Sequence, residues 1–320
     1  MVGTFLEPSS GRRCIPIHNI PCSVAQPLGR GYKNYYFIIQ GGKTALDNCM
    51  VIAITNQKGG VGKTTTTVNL GIGLARQGKK VLMIDADPQG SLSVCLGEKN
   101  PDALDDTLAT VMKAVVEDKC LPMDKGILHH PEGADYLPAN IELSGTETGL
   151  VNIMSREYVL KEYIGRIKEN YDYILIDCMP SLGMMTINAF VAADSLIVPC
   201  QPSFLSTKGL NLLFGSVARV RKTINPNLRI DGILLTMVDS RTNNARNIIS
   251  SLKATIGQNV RVFDTEIPHS VRAAECSLSG GSIYAFDGKG KLAQAYEQFT
   301  KEVQELEERS KDRSRNDWVR

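Results

Sequence analysis

Lys58-Gly59-Gly60-Val61-Gly62-Lys63-Thr64-Thr65-Thr66-Thr67 is the stretch on which the fold of this chain turns. It reads as a phosphate-binding loop of unusual form. The ordinary loop is G-x-x-x-x-G-K-[S/T], and its first glycine would fall where this chain has Gln57, followed by Lys58. Glycines at 59, 60 and 62 let the backbone curl until successive N–H groups point inward at phosphate oxygens. Lys63 has the reach to neutralise β- and γ-phosphates, and the Thr64 hydroxyl is of the kind that ligates Mg²⁺. Lys58 adds a second cation on a flexible stem at the loop mouth.

The flanks agree with this reading. Val51-Ile52-Ala53-Ile54-Thr55 is uncharged and β-branched, as a buried parallel strand should be. Leu70, Leu74 and Ala75 recur at helical spacing, and Gly78 follows as a helix-ending residue. Strand, glycine loop and helix would set phosphates on a helix N-terminus, where free N–H groups and the dipole favour anions. The bland alternative is a glycine-rich turn that binds nothing.

Two more apolar strands end in carboxylates. Val81-Leu82-Met83-Ile84-Asp85 leads into Ala86-Asp87-Pro88-Gln89-Gly90, and Tyr173-Ile174-Leu175-Ile176-Asp177 leads into Cys178-Met179-Pro180-Ser181-Leu182-Gly183. In an open parallel sheet, ligands bind beyond the carboxyl ends of the strands. Asp87 is then a candidate to hold or activate a water at the γ-phosphate, and Asp177 to orient Mg²⁺ and its waters. For Asp87 alone, a turn or cap role is an equal alternative.

With these residues in view, positions 51 to about 303 resemble the ParA branch of the ParA/MinD ATPases. The matching stretches are KGGVGKTTTTVNL, VLMIDADPQGSLS, YDYILIDCMPSLG and the run from Asn225 to Asn243, NPNLRIDGILLTMVDSRTN. Ile267-Pro268-His269-Ser270-Val271-Arg272-Ala273-Ala274-Glu275 resembles the family's late IPR-x-VR-x-x-E segment. The resemblance implies an ATPase using ATP and Mg²⁺ that closes into a homodimer. Lys58 of each subunit would cross to the other's nucleotide, and Asp87 would lie in the first switch loop. It also implies non-specific DNA binding by the dimer, and a ParB-like centromere-binding partner that stimulates hydrolysis. The adenine would lie near Thr236, Met237 and Pro268. The chain departs from the family at Met179, where a second proline is usual, at Cys200-Gln201-Pro202-Ser203-Phe204, at His269, and at Cys276-Ser277-Leu278. None of these departures touches the phosphate chemistry.

Composition narrows the function classes. The chain has 320 residues, 42% of them hydrophobic, and a net charge of only +2, so any DNA surface must be a local patch. No run of 18 uncharged apolar residues suggests a membrane span. Eight cysteines occur without a C-x-x-C pair, which fits free thiols in a reducing cytoplasm; an interfacial iron–sulfur cluster is the sharper alternative. The localisation expected is cytoplasmic and nucleoid-associated.

Residues 1–50 read as a separate extension, with several prolines, no helical periodicity and more basic than acidic residues. The options are a poorly ordered tail, a targeting segment, or a physiological start at Met50. Residues 51–303 form the ATPase domain, and 304–320 a charged C-terminal tail. Within the domain the expected elements are strands at 51–55, 80–85, 135–138, 172–177, 195–199 and 230–237. Helices are expected at 64–77, 155–169, 184–192, 207–223, 244–256 and 290–308. Leu104, Leu108 and Met112 suggest one short helix in the irregular stretch 97–133. The alternation predicts an α/β fold: one doubly wound, mainly parallel sheet with helices on both faces, of the P-loop NTPase type. From Ser310 onward the chain reads as charged and frayed; only Trp318 and Val319 offer apolar bulk, so C-terminal membrane docking is not expected.

Candidate DNA contacts are Arg219 and Lys222 on one face of a helix, Arg246 and Lys253 on another with Arg241 just before it, and Arg272 in the late loop. Each cluster on its own is more often a solvated helix face. Two other functions fit the same ATP site: positioning of a protein assembly, and a nucleotide-locked DNA-binding regulator that hydrolyses little.

Overall fold

A computed structural model describes residues 49–203, 206–239, 243–258 and 260–317. The expectations for residues 1–48, Arg241 and Trp318 lie outside these.

Eight strands form one sheet: β1 (Met50–Ile54), β2 (Val81–Ala86), β3 (Leu128–His129), β4 (Asp135–Leu137), β5 (Tyr173–Cys178), β6 (Ser195–Cys200), β7 (Arg229–Val238) and β8 (Val262–Pro268). Their order is β3-β4-β2-β5-β1-β6-β7-β8. All neighbours run parallel except β3 against β4. The fold class is the one expected.

The helices are α1 (Lys63–Arg76), α2 (Ser91–Cys95), α3 (Leu108–Val116), α4 (Glu142–Leu150), α5 (Val159–Ile167), α6 (Met184–Ala192), α7 (Ser206–Thr223), α8 (Asn243–Thr255), α9 (Arg272–Ser279), α10 (Ile283–Asp287) and α11 (Lys291–Asp317). They divide between the two faces of the sheet. Side chains of a strand alternate between faces, and both faces here are apolar. Val51 and Ala53 of β1 join a core with α3 to α8. Met50, Ile52 and Ile54 join the opposite core with α1, α2 and α9 to α11.

β1 lies between β5 and β6, with β2 reached on one side and β6 to β8 on the other. The loop after β1 therefore opens at the point where the strand order reverses, the usual ligand crevice of such sheets. Gly78 has φ +80° just past α1, as expected of a residue closing a helix.

Several boundaries differ from the sequence reading. The helix expected around Leu104, Leu108 and Met112 begins only at Leu108. Thr107 and Thr110 form a reciprocal capping box there, and Leu104 stays outside. The helix expected at 155–169 is α5 alone flanked by single 3₁₀ turns, because Ser155 takes a left-handed conformation (φ 56°) that interrupts it. α2, α4, β3, β8, α9 and α10 are additional. The terminal helix, expected to end at 308, continues to Asp317. One anchor of α11 is Glu307, buried and accepting a hydrogen bond from the Tyr173 hydroxyl.

Candidate active site

Asn56 closes β1. Its side-chain amide donates to the Pro199 carbonyl at the end of β6 (2.7 Å), and its side-chain oxygen accepts from the Lys58 N–H (3.0 Å). One buried side chain thus fixes the entry of the phosphate loop to the neighbouring strand. The loop then turns through Gly60 (φ +70°) and Gly62 (φ +82°), a region that side chains with a Cβ rarely adopt. Val61 between them is buried, and its carbonyl accepts from the buried Thr236 hydroxyl (2.8 Å). β7 thereby holds the far side of the loop. α1 begins at Lys63 with no side-chain cap, so the free N–H groups of its first turn face the loop.

The two loop lysines part company. Lys63 is buried, its ammonium lying 3.4 Å from the Lys58 carbonyl. Burial lowers its pKa, against the opposing pull of Asp177, Cys178 and Asp87. Lys58, by contrast, is exposed, and its ammonium makes a long 3.4 Å contact to the Ser203 hydroxyl. Gly59 and Gly60 are exposed beside it.

Asp177 at the end of β5 is completely enclosed. It accepts hydrogen bonds from the hydroxyls of Thr64 (2.7 Å) and Thr67 (3.2 Å). Burial pushes its carboxyl up to about 7; the Thr64 hydrogen bond and the Lys63 charge oppose that shift. A hydroxyl and a carboxylate held together beside a buried cation make a hard-oxygen donor set, which fits Mg²⁺. Thr64 and Asp177 are the residues that would hold the ion and its waters. Thr65 follows on the first turn of α1, half-buried.

Asp87 is half-buried, and one carboxylate oxygen accepts from the Gln89 N–H (3.0 Å). The turn role weighed for it is thus present, and the same geometry keeps the side chain near Lys63 and Asp177. The residue that builds this loop is Asp85. It accepts from the Ser93 N–H (2.9 Å), the Ser93 hydroxyl (2.8 Å) and the Asp87 N–H (3.2 Å). The Ser93 hydroxyl in turn accepts from the Ala139 N–H (3.2 Å), tying the loop to the segment after β4.

At the other edge of the site, Met237 and Pro268 come together at the ends of β7 and β8, where Val238 pairs with Pro268. Met237 has φ 53°, a left-handed conformation unusual outside glycine, and the register of β7 against β8 shifts around it, between Leu235 and Val238.

The basic candidates do not converge on this site. Arg219 and Lys222 are exposed on α7. Lys253 is paired with Glu266 (3.3 Å), and Arg272 with Asp287 (3.2 Å). Arg246 lies on α8, with its side chain outside what the structure describes. Of the described cysteines, those at 95, 120, 178 and 276 are free thiols.

Asn56, Thr67 and Asp85 were given no role of their own from the sequence, and Thr236 was read only as lying near the adenine, not as a support of the phosphate loop. Asn56 carried a readable signal, an Asx residue directly after a strand. Thr236 carried none, because its partner lies 175 positions away.

The AAA domain family model matches residues 49–230. Soj, the sporulation initiation inhibitor protein of Bacillus subtilis, is 43% identical over 253 residues, covering 79% of this chain and 97% of Soj. The chromosome partitioning protein ParA of Caulobacter vibrioides is 40% identical over 255 residues, covering 79% and 93%. The chain belongs to the ParA family of ATPases. Among solved structures, this ParA-family chain is similar to cobyrinic acid a,c-diamide synthase of Mycobacterium smegmatis with bound ATP analog and magnesium. That likeness has a TM-score of 0.68 and 34% identity, covering 79% of this chain and 93% of that one. The ParA-family chain is an ATPase whose nucleotide is ATP and whose metal is Mg²⁺, in keeping with its loop and with the Thr64–Asp177 pair.

Proposed function

We propose that this chain is a DNA-partition ATPase that works as a nucleotide-controlled homodimer. ATP closes two subunits around two nucleotides. The closed dimer lays basic side chains on DNA phosphates without reading sequence, and a ParB-like centromere-binding partner triggers hydrolysis and release. The cycle runs in the cytoplasm, on the nucleoid. Among the described residues no helix is long and apolar enough to cross a membrane.

The observation that supports this reading most is the split between the loop lysines. Lys63 is buried on its own loop, where it neutralises β/γ charge, whereas Lys58 is exposed at the mouth and can reach a second subunit's nucleotide. The backbone from Gly59 to Thr65 cradles the phosphates. Asp87 positions water. Bound Mg²⁺ supplies Lewis-acid neutralisation of the phosphate charge, with Thr64 and Asp177 holding it in place. Phosphoryl transfer depends on positioning and electrostatics, so a subunit lacking its partner's Lys58 is expected to turn over slowly.

The test is DNA binding with ATP, ADP or no nucleotide, on unrelated sequences, at two salt concentrations, beside Lys58→Gln. The expected result is ATP-dependent, sequence-independent, salt-sensitive binding that the variant loses. Absence of binding with every nucleotide would overturn the DNA role.

A second reading, an ATPase that positions a protein assembly, is favoured by one feature: Lys253 and Arg272 are already engaged by carboxylates. Hydrolysis without any DNA binding would support it. A nucleotide-locked regulator would instead keep its full function in an Asp87→Ala variant.

A further inference from the structure

α9 shows two unlike faces. Inward, Cys276 is buried and lines a small cavity with Thr65 and Asn69 of α1 and Cys95 of α2. Outward, Val271, Ala274, Glu275 and Leu278 are all exposed. They stand at positions i, i+3, i+4 and i+7, which is one stripe of a helix. Val271 is 69% exposed and Leu278 is 88% exposed, the highest value among the large exposed hydrophobic residues described. Scattered exposed leucines are ordinary, but an apolar stripe two turns long on one helix face is the shape a partner helix reads.

Charge sets the chemistry that a complementary surface must have. Glu275 sits inside the stripe and has no ion-pair partner among the described residues, whereas the neighbouring Arg272 is neutralised by Asp287. The face is thus apolar with one unpaired carboxylate.

The placement of α9 connects this face to the chemistry. β8 ends at Pro268, four residues before α9 begins. At the other end, Gly280 closes α9 with φ +75° and packs backbone to backbone on Gly97, just past α2; a Cβ on Gly280 would lie 2.7 Å from the Gly97 Cα. α2 in turn follows directly from the Asp87 loop and is held by Asp85 through Ser93.

We propose that the outer face of α9 is the docking surface for an amphipathic helix of the ParB-like partner, with apolar residues at i, i+3 or i+4, and i+7 and a basic residue set against Glu275. The inference rests on the partition reading, and it adds the place and chemistry of the contact. Occupation of this face bears on α2, and through α2 on the Asp87 loop, which gives the partner a route to hydrolysis.

The experiment uses the full chain and the purified ParB-like protein from the same source. p-Benzoylphenylalanine at position 278 is expected to cross-link to that protein on illumination, and the same probe at the exposed Met123 is not. Leu278→Glu and Val271→Glu are expected to keep unstimulated turnover and the melting temperature. They are expected to raise the partner concentration for half-maximal stimulation roughly tenfold or more, the loss typical of a central contact residue. Glu275→Lys is expected to weaken stimulation most at low salt. Wild-type protein that the partner does not stimulate would count against the partition reading, while the cross-link would still report on the face. No cross-link at 278, or full stimulation of both glutamate variants, overturns the proposal. A cross-link between two copies of this chain does so as well, by assigning the face to self-association.

Discussion

Asp85 and Asp177 stand opposite each other at the ends of β2 and β5, and water reaches neither. Burial, reinforced by the Asp177 charge, pushes the Asp85 carboxyl up to about 8, against the hydrogen bonds from Ser93 and Asp87. An unfolded aspartate titrates near 3.9, so between about pH 4 and 8 the folded chain holds a proton that the unfolded chain has released. Stability from this group therefore falls as pH rises through that window. The nucleotide-free protein is expected to melt at lower temperature at pH 8 than at pH 6. Asp85→Asn is expected to flatten that slope in a thermal melt, and an unchanged slope would place the titration elsewhere. Thr236 makes a second prediction at this scale. Thr236→Val removes the donor to the buried Val61 carbonyl, a loss of about 1–3 kcal/mol that falls on the phosphate loop. ATP affinity measured by calorimetry should drop about fivefold or more.

Helix α1 carries the phosphates, and its back must lie close against its neighbours. A Cβ on Gly73 would come within 2.6 Å of the Thr300 hydroxyl on α11 and 2.7 Å of the Tyr284 hydroxyl on α10. Gly73→Ala gains about 1 kcal/mol of helix propensity but forces that contact apart, at about 1–3 kcal/mol. The contact is the larger effect, and denaturant melts should show a net loss of about 1 kcal/mol. Asn69 on the same helix has a related function, accepting from the Ile283 N–H (2.8 Å) at the start of α10. Such contacts mark where sequence reading stopped. β1, β2, β5 and β6 were legible because each is built on a consecutive run of apolar residues buried on both faces, with the carboxylates of β2 and β5 coming only after that run. The phosphate loop was legible because its glycines, lysines and threonines are contiguous. α9 and α10 were not: they are short, and what stabilises them is Cys276 and Ile283 reaching a core built by α1 and α11. β8 carries Asp264 and Glu266 within its run, and its placement depends on pairing with β7 and on Glu302 of α11, which accepts from the Asp264 and Thr265 N–H groups.

Across the whole molecule, charge is nearly balanced, and what matters is where cations lack partners. Arg219 and Lys222 are exposed on α7, while Lys253 and Arg272 are paired. If the partition reading holds, replacing Arg219 and Lys222 together by alanine should weaken ATP-dependent DNA binding on every sequence alike. It should also reduce the slope of log affinity against log salt by about 2, one for each lost phosphate contact. Lys253→Ala should change that slope by less. An unchanged slope in the double variant would move the DNA surface away from α7.

β1 is the first strand of the sheet and pairs with strands made much later, Met50 beside Tyr173 and Ile52 beside Ser195. The loop that follows it is completed only by Thr236. During synthesis, then, the phosphate loop leaves the ribosome long before anything exists to shape it, and no early fragment has a nucleotide site to offer. Closure of such distant pairings is slow, and the waiting strand is exposed meanwhile. ATP, which recognises only the finished cradle, should act as a late ligand that draws the nascent chain to completion by mass action.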